Sequence, residues 1–236
     1  MQSIPSQGLS QQWLLEVSDE LLVINKPPGL SVLRDRSGTL DLWQRLSAEY
    51  GKLYPVHRID KATSGLLLVA RNQALQSALT RHFTQRSARK IYLADVHGTL
   101  SLAGTGYVDL PLRKGRKSRY RVAAQRDTIV RQGNRWLVHA AESGSAALTK
   151  LRVLNRSRDR TRLLLKPLSG RTHQLRVHLA WIGHGIIGDP LYGKREGASA
   201  GDRPPPTQRM MLHAARLTIP GYGRWQAPLD GDAWGS

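Results

Sequence analysis

Short apolar runs in the first third of the chain predict strands that are buried on both faces. The run LLVIN at 21–25 ends at the segment KPPG, a turn in which two prolines lack N–H donors and the glycine permits a positive φ. The run GLLLVAR at 65–71 has the same apolar character. The polar segment HRIDKATSG at 57–65 therefore lies in a loop that enters the second of these core strands.

Apolar residues at helical spacing follow the second strand. Asn72 offers an N-cap, and the residues after it predict an amphipathic helix over 73–85. Its apolar positions are Leu75, Leu79 and Phe83.

A shorter helix is predicted over about 173–182 from apolar positions at i, i+4 and i+7. Thr172 can cap its start and Gly183 its end. Arg171 stands just before the first turn, where free backbone N–H groups and the positive end of the helix dipole favour a carboxylate or a phosphate.

The remaining pattern is rich in strands. Alternation over RKIYLADVHG at 89–98 places Tyr92, Ala94 and Val96 on one face. Further basic strand pairs fill 107–166, and LRVLNRSRDRTRLLLKPL reads as two strands around an arginine-rich turn. A strand-rich pattern with few helices and several hairpins does not indicate repeated βαβ units. We therefore expect a single α+β domain around a largely antiparallel sheet with flanking helices.

The charge composition of the chain predicts a binding partner. The 236 residues include 36 Lys and Arg against 17 Asp and Glu, a formal net charge of +19, which favours a polyanion, with nucleic acid as the first candidate. The segment RKGRKSRYR at 113–121 concentrates this charge, and its Arg113, Lys114, Arg116, Lys117 and Arg119 are candidate contacts to a phosphate backbone. A merely solvated face is the alternative for such a run.

Composition also bears on the compartment. The sequence has no cysteine, no apolar run of the roughly 20 residues that a membrane span needs, and no signal-peptide pattern at MQSIPSQGLSQQ. We expect a soluble, cytoplasmic protein.

The charged loop at 57–65 holds the candidate chemistry. Asp60 lies between Arg58 and Lys61, so a surface ion pair with either neighbour is one interpretation. An arginine from elsewhere, such as Arg171, would instead aim the carboxylate through opposite charge and paired hydrogen bonds. Arg171 could equally contact a phosphate, and the sequence leaves these alternatives open.

Other chemistries find little support. The histidines at 173, 178 and 184 do not have the i, i+4 spacing of helical metal ligands, and no HExxH motif is present. The segment SGSA at 143–146 is not a GxSxG nucleophile turn, and GKREG at 193–197 lacks the glycine spacing of a phosphate loop. We expect no metal and no cofactor.

Six sequence blocks resemble the RNA pseudouridine synthases of the RluA family, in family order. They cover most of the chain between about residues 14 and 220, and together they are far more specific than any one of them alone. The blocks are VINKPPGLSV at 23–32, HRIDKATSGLLLVA at 57–70, RKIYLADVHG at 89–98, DLPL at 109–112, GRTHQLRVHL from Gly170 to 179, and GHGIIGDPLYG at 183–193.

The resemblance implies an isomerase that converts uridine to pseudouridine in structured RNA without a cofactor. It implies a catalytic domain with a central cleft over 13–232. The first dozen residues and the segment at 195–209, rich in Gly, Ala and Pro, predict a flexible tail at 1–12 and a flexible loop at 195–209. The first block begins at residue 23, so the chain resembles the short members that lack an extra N-terminal RNA-binding domain. The expected substrates are tRNA, large-subunit (23S) rRNA or both, and a monomer is expected.

The resemblance also assigns roles to individual residues. Asp60 matches the catalytic aspartate, Tyr92 the active-site tyrosine that stacks on the target base, and Arg171 the arginine that pairs with the aspartate. Arg58 resembles an arginine that fills the space left by the extruded uridine, and Lys90, beside Tyr92, is a further candidate RNA contact. The alternative function is a noncatalytic RNA-binding or ribosome-assembly protein, which would need the cations but not the acid.

Overall fold

The computed structural model describes residues 13–33, 41–116, 119–139, 143–193 and 209–234. The expected tail at 1–12, residues 195–208 of the expected loop, and Lys117 lie outside this part of the chain.

Strands dominate the described residues. The helices are α1 (Leu42–Tyr50), α2 (Gln73–Thr84), α3 (Gln174–Trp181) and the short α4 (Gly231–Trp234). The strands are β1 (Leu14–Val17), β2 (Leu21–Lys26), β3 (Tyr54–Pro55), β4 (Ser64–Ala70), β5 (Arg89–His97), β6 (Thr105–Asp109), β7 (Leu112–Lys114), β8 (Tyr120–Val122), β9 (Ile129–Gln132), β10 (Arg135–Val138), β11 (Leu148–Arg156), β12 (Arg160–Pro167), β13 (Leu212–Ile219) and β14 (Gly223–Gln226).

Within the described ranges, twelve strands form one mixed sheet. Its order is β1-β2-β4-β13-β5-β12-β11-β6-β10-β9, with β14 beside β13 and β3 beside β4, while β7 and β8 form a separate hairpin. Only β13 with β4 and β10 with β6 pair in parallel. The expectation of an α+β domain around a largely antiparallel sheet is confirmed.

The sheet carries two hydrophobic cores. One contains Leu163 and Leu165 of β12 packed with Val177 and Leu179 of α3. The other joins β2 and β4 to α1 and α2 through side chains such as Ile24, Leu67, Leu46 and Leu79. Tyr92 of β5 packs against both cores, so its strand lies at the boundary between the two halves of the sheet.

The helix starts agree with the sequence at α2 and differ at α3. Asn72 caps α2 by accepting a hydrogen bond from the Leu75 backbone N–H at 2.8 Å, as predicted. The predicted cap of α3, Thr172, is wrong: His173 occupies the N-cap position with φ 56° and makes no side-chain cap. The Gln174 side chain instead binds the preceding loop, accepting from the Arg171 N–H at 3.1 Å.

Gly65 allows the two halves of the sheet to meet. Here β4 and β13 share only two residue pairs, His213 with Ser64 and Ala214 with Gly65. Gly65 has φ 105°, and a Cβ on it would lie 2.4 Å from the Ala214 carbonyl oxygen. Only glycine fits this contact, because both the backbone conformation and the space exclude a side chain.

We expect Gly65→Ala to lower the free energy of unfolding by about 3 kcal/mol or more, since overpacking against a backbone atom adds to the conformational strain. Gly51→Ala is the matched control, because Gly51 also has a positive φ, 74°, but a Cβ on it would meet no atom within 4 Å. Chemical denaturation of both variants measures the difference. Equal losses would show that the contact with β13 is not tight.

Candidate active site

A pocket of about 350 Å³ opens between the two cores. The loop that precedes β4 forms one wall, β5 forms its floor, and the segment leading into α3 forms the opposite wall. Of the predicted site residues, the pocket brings together Arg58, Asp60, Lys90, Tyr92 and Arg171.

Asp60 is held in this pocket by an arginine of α3. The Arg176 Nη1 atom donates to Asp60 Oδ2 at 2.9 Å, and the Asp60 side chain keeps 21% of its surface exposed. No other described residue hydrogen bonds to this carboxylate, so Oδ1 has no hydrogen-bond partner in the described ranges. The carboxylate is therefore fixed through one oxygen, and its residue lines the pocket.

Arg176 is itself anchored to a second carboxylate, Asp189. Its Nε and Nη2 atoms donate to the two oxygens of Asp189, each at 2.8 Å, and both side chains are buried. Asp189 Oδ1 also accepts from the backbone N–H groups of Leu191 and Tyr192. Burial alone would lower the pKa of Arg176, but its bonds to Asp189 and Asp60 raise it, so the guanidinium stays charged.

The expected pairing of Arg171 with Asp60 is wrong in this structure. Arg171 lines the pocket but is exposed, and its Nε atom donates to the Ala146 carbonyl at 3.2 Å. The two arginines belong to the same sequence block, and Arg176 lies inside the helix whereas Arg171 precedes it. Arg176 reaches the half-buried carboxylate because the helix carries it into the interior, whereas Arg171 precedes the helix and stays exposed.

His173 approaches Asp60 from the other side. Its Nε2 atom lies 3.8 Å from Asp60 Oδ2, and its Nδ1 atom lies 2.9 Å from the Tyr192 hydroxyl, which accepts from the Tyr120 N–H at 2.8 Å. Burial lowers the pKa of His173, although the charge of Asp60 opposes this. A neutral ring with its proton on Nε2 satisfies both neighbours, because it directs N–H toward the carboxylate and accepts from Tyr192.

Tyr92 lines the pocket from β5, as its strand position requires. Burial, reinforced by the negative charge of Asp60, raises the pKa of its hydroxyl. The side chain therefore remains a neutral phenol at physiological pH, with a ring available for stacking.

Lys26 forms hydrogen bonds with the loop that carries Asp60. Its side chain is buried, and its Nζ atom donates to the carbonyls of Pro27, Leu30 and Lys61 at 2.8, 3.0 and 3.1 Å. These three bonds tie the turn after β2 to the residue that follows Asp60. Burial lowers the pKa of Lys26 to about 7, and the charge of Asp60 partly opposes the shift.

The predicted RNA contacts lie at three places. Arg58 is exposed at the mouth of the pocket, and Lys90 is half-buried in its wall. The basic segment forms the β7–β8 hairpin, which adjoins the site because the Tyr120 ring lies 5.8 Å from the His173 ring. The hairpin carries the remaining described candidates: Arg113, Lys114, Arg116 and Arg119.

Sequence reasoning missed Arg176, Asp189, Lys26 and His173. Each belongs to a quoted block, and one signal was available: Arg176 stands among Leu175, Val177 and Leu179 in a helix that is buried on every side. A charged residue in such a helix indicates a buried ion pair.

Metal-binding and membrane-spanning features are absent from the described residues. No group of three or more His, Asp or Glu side chains there could hold a metal ion. No described helix is long and apolar enough to cross a membrane.

The mixed sheet and the carboxylate-bearing cleft, flanked by cations, define an enzyme fold suited to a polyanionic substrate. The family model described as RNA pseudouridylate synthase matches residues 20–181. The dual-specificity RNA pseudouridine synthase RluA of Escherichia coli strain K12 is 35% identical over 230 residues, which cover 93% of this chain and 95% of that protein.

Two further comparisons agree. An uncharacterised RNA pseudouridine synthase of Zymomonas mobilis is 36% identical, over 87% of this chain and 86% of that protein. The solved structure of human RNA pseudouridylate synthase domain containing 1 superimposes with a TM-score of 0.73 at 30% identity, covering 97% of this chain and 86% of that chain. The chain belongs to the RNA pseudouridine synthase family, and the resemblance to RluA is confirmed. It is an isomerase that acts on RNA.

Lys26 makes the stability dependent on pH. Its pKa is about 7 in the folded protein, against 10.5 for a lysine that is not buried, so between these values the unfolded chain binds more protons and stability rises with pH. We expect the free energy of unfolding of the wild type, relative to Lys26→Met, to rise by about 3 kcal/mol from pH 6 to pH 9.

Denaturation of both proteins at the two pH values measures this change. Lys52→Met is the control, because Lys52 is exposed and its removal should leave the pH dependence of stability unchanged. A difference in the free energy of unfolding between wild type and Lys26→Met that does not change with pH would contradict the lowered pKa of Lys26.

Proposed function

We propose that this RNA pseudouridine synthase isomerises specific uridines in tRNA, large-subunit rRNA or both, with Asp60 as the catalytic carboxylate. The observation that carries the proposal is the 2.9 Å bond from Arg176 to Asp60 Oδ2 inside the pocket. The dual specificity in the name of the Escherichia coli relative supports the choice of substrates. A noncatalytic RNA-binding protein would have no use for an acid that repels phosphate at this position.

The reaction breaks the bond between N1 of uracil and C1′ of the ribose, turns the base, and joins C5 to the same carbon. N1 gains a proton and C5 loses one, so the product is an isomer and no cofactor is consumed. The free oxygen of Asp60 can attack the electron-poor carbon or the base, or can accept a sugar proton, as carboxylates do in other reactions at glycosidic carbons. Arg176 holds the carboxylate in position for each of these roles.

Tyr92 and Arg58 serve the target nucleotide in this proposal. A base stacked in RNA exposes neither its glycosidic carbon nor room to turn, so it must leave the stack. The neutral Tyr92 ring offers a stacking surface for the extruded base. Arg58 would enter the space that the base leaves, a role supported by its exposed position in the lining of the pocket.

Arg171, Lys90 and the hairpin cations supply the sequence-independent affinity. Arg171 is exposed beside the pocket and free of Asp60, which favours the phosphate contact that its sequence position also suggests. The β7–β8 hairpin presents its cations next to His173 and so next to the carboxylate. Together these groups let a protein with an acid at its centre bind a polyanion.

We expect Asp60→Asn to abolish turnover while RNA binding persists, because the amide keeps the size of the side chain but lacks the charge. RNA transcripts carrying tritium at uridine C5 report turnover by release of the label, and filter binding reports affinity. Asp109→Asn is the control, because Asp109 pairs with Arg135 outside the pocket. Full turnover by Asp60→Asn would contradict the proposed role.

The two arginines of the α3 block should differ in kinetics. We expect Arg176→Lys to lower kcat about tenfold or more, since an ammonium cannot bridge Asp60 and Asp189 as the planar guanidinium does. Arg171→Ala should act mainly on KM through a lost phosphate contact. Steady-state kinetics of both variants measures kcat and KM, and thermal melting verifies that both variants fold. A larger loss of kcat in Arg171→Ala would reverse the assignment.

A further inference from the structure

A second groove, of about 680 Å³, lies beside the catalytic pocket and is strongly cationic. It runs between the end of α2, the first residues of β5, the end of β12 and the β13–β14 hairpin. None of the described residues that line it is acidic. Its six cationic residues are Arg86, Arg89, Lys90, Lys166, Arg216 and Arg224.

The groove continues directly from the pocket that holds Asp60. Phe83, Lys90 and the segment around Ser169 and Gly170 line both. The Lys90 Nζ atom lies 3.5 Å from the position of a Cβ on Gly170, so the ammonium stands at the junction. An RNA strand with one base in the pocket would therefore place its neighbouring nucleotides in the groove.

The groove cations lack ion pairs with the acids that the structure describes. Within the part of the chain that the structure describes, none of the six makes an ion pair with an acid. Arg216 is half-buried, and its Nε atom is buried without a hydrogen-bond partner there, although Nη2 donates to Gln226. Burial and the nearby charge of Arg86 lower the pKa of Lys90. Clustered like charges without a paired acid among the described residues favour an external anion.

Arg86 adds a cation to the groove at a backbone position that disfavours a side chain. It follows Gln85, the C-cap of α2, and has φ 59°. This left-handed position at a helix end favours glycine, because a Cβ is strained there. The arginine therefore costs stability while its exposed side chain lines the groove.

We propose that this groove binds the backbone phosphates of the nucleotides on one side of the target uridine. The inference rests on the proposed function and adds a binding track that starts at Lys90 and ends at the β13–β14 hairpin. A concave surface joined to the base pocket suits a single strand of RNA, whose phosphates follow the base that has been extruded.

The double variant Arg86→Gly with Arg224→Gln tests the track with in vitro transcribed tRNA labelled at uridine C5. We expect Kd and KM to rise at least threefold, and the slope of log Kobs against log salt to become shallower by about 0.7 for each lost contact. The single variant Arg86→Gly should melt at the wild-type temperature or higher. A purely structural role for Arg86 predicts a lower melting temperature instead.

The charge-matched control is Lys52→Ala with Arg158→Gln. Lys52 follows α1, and Arg158 lies in the β11–β12 turn, at the opposite end of β12 from the groove. Equal losses of affinity in the control and groove variants would overturn the proposal, because they would reflect total charge alone. Wild-type affinity and salt slope in the groove variant would also overturn it.

The substrate provides a second comparison. One transcript is shortened on the 5′ side of the modified uridine and another on the 3′ side. Only one of the two truncations should remove the difference in affinity between wild type and groove variant. A difference that survives both truncations would place the lost contacts elsewhere. If the wild type releases no tritium from any transcript, the proposed function fails, whereas an active wild type with an unaffected groove variant refutes only the track.

Discussion

The site depends on a buried guanidinium that must satisfy two carboxylates. Arg176 cannot be left unpaired in the interior, because an uncompensated buried charge costs several kcal/mol. Asp189 meets this need with two bonds and is held in turn by two backbone N–H groups. The third bond of Arg176 goes to Asp60. This network joins α3, the loop after it and the loop before β4, so the position of the carboxylate is fixed by the packing of the whole domain.

The same arrangement resolves a conflict of charge. The +19 balance of the chain favours RNA binding, yet the proposed chemistry needs a carboxylate beside the bound backbone, where it repels phosphate. Arg176 and Asp189 neutralise each other internally, so Asp60 contributes one net negative charge to a small volume. The cations that face solvent surround this volume, at the pocket mouth, on the hairpin and along the groove. The backbone can thus be attracted from several sides while one nucleotide alone meets the acid.

Local patterns predicted the fold well and the contacts across it poorly. The strands β2, β4, β5, β11 and β12, and the capped helix α2, follow from apolar runs, alternation and Asn72, because these signals act over a few residues. The partner of Asp60 is 116 residues away, and nothing within one block distinguishes Arg171 from Arg176 as its partner. The Thr172 cap failed for a related reason: the Gln174 side chain binds the loop, and His173 turns into a left-handed conformation.

Several polar groups form hydrogen bonds around the loop that carries Asp60. Lys26 binds the carbonyl of the residue that follows Asp60, while His173 binds Tyr192, which also receives the N–H of Tyr120 at the base of the hairpin. Each of these groups is at least partly shielded from water and hydrogen bonds to a specific partner. This favours a single arrangement over the alternatives. The loop between β3 and β4, which carries Asp60, the proposed catalytic acid, would otherwise sample many conformations. These polar bonds, together with the packing that positions Arg176, therefore set the orientation of Asp60, and they connect it to the basic hairpin expected to hold the RNA.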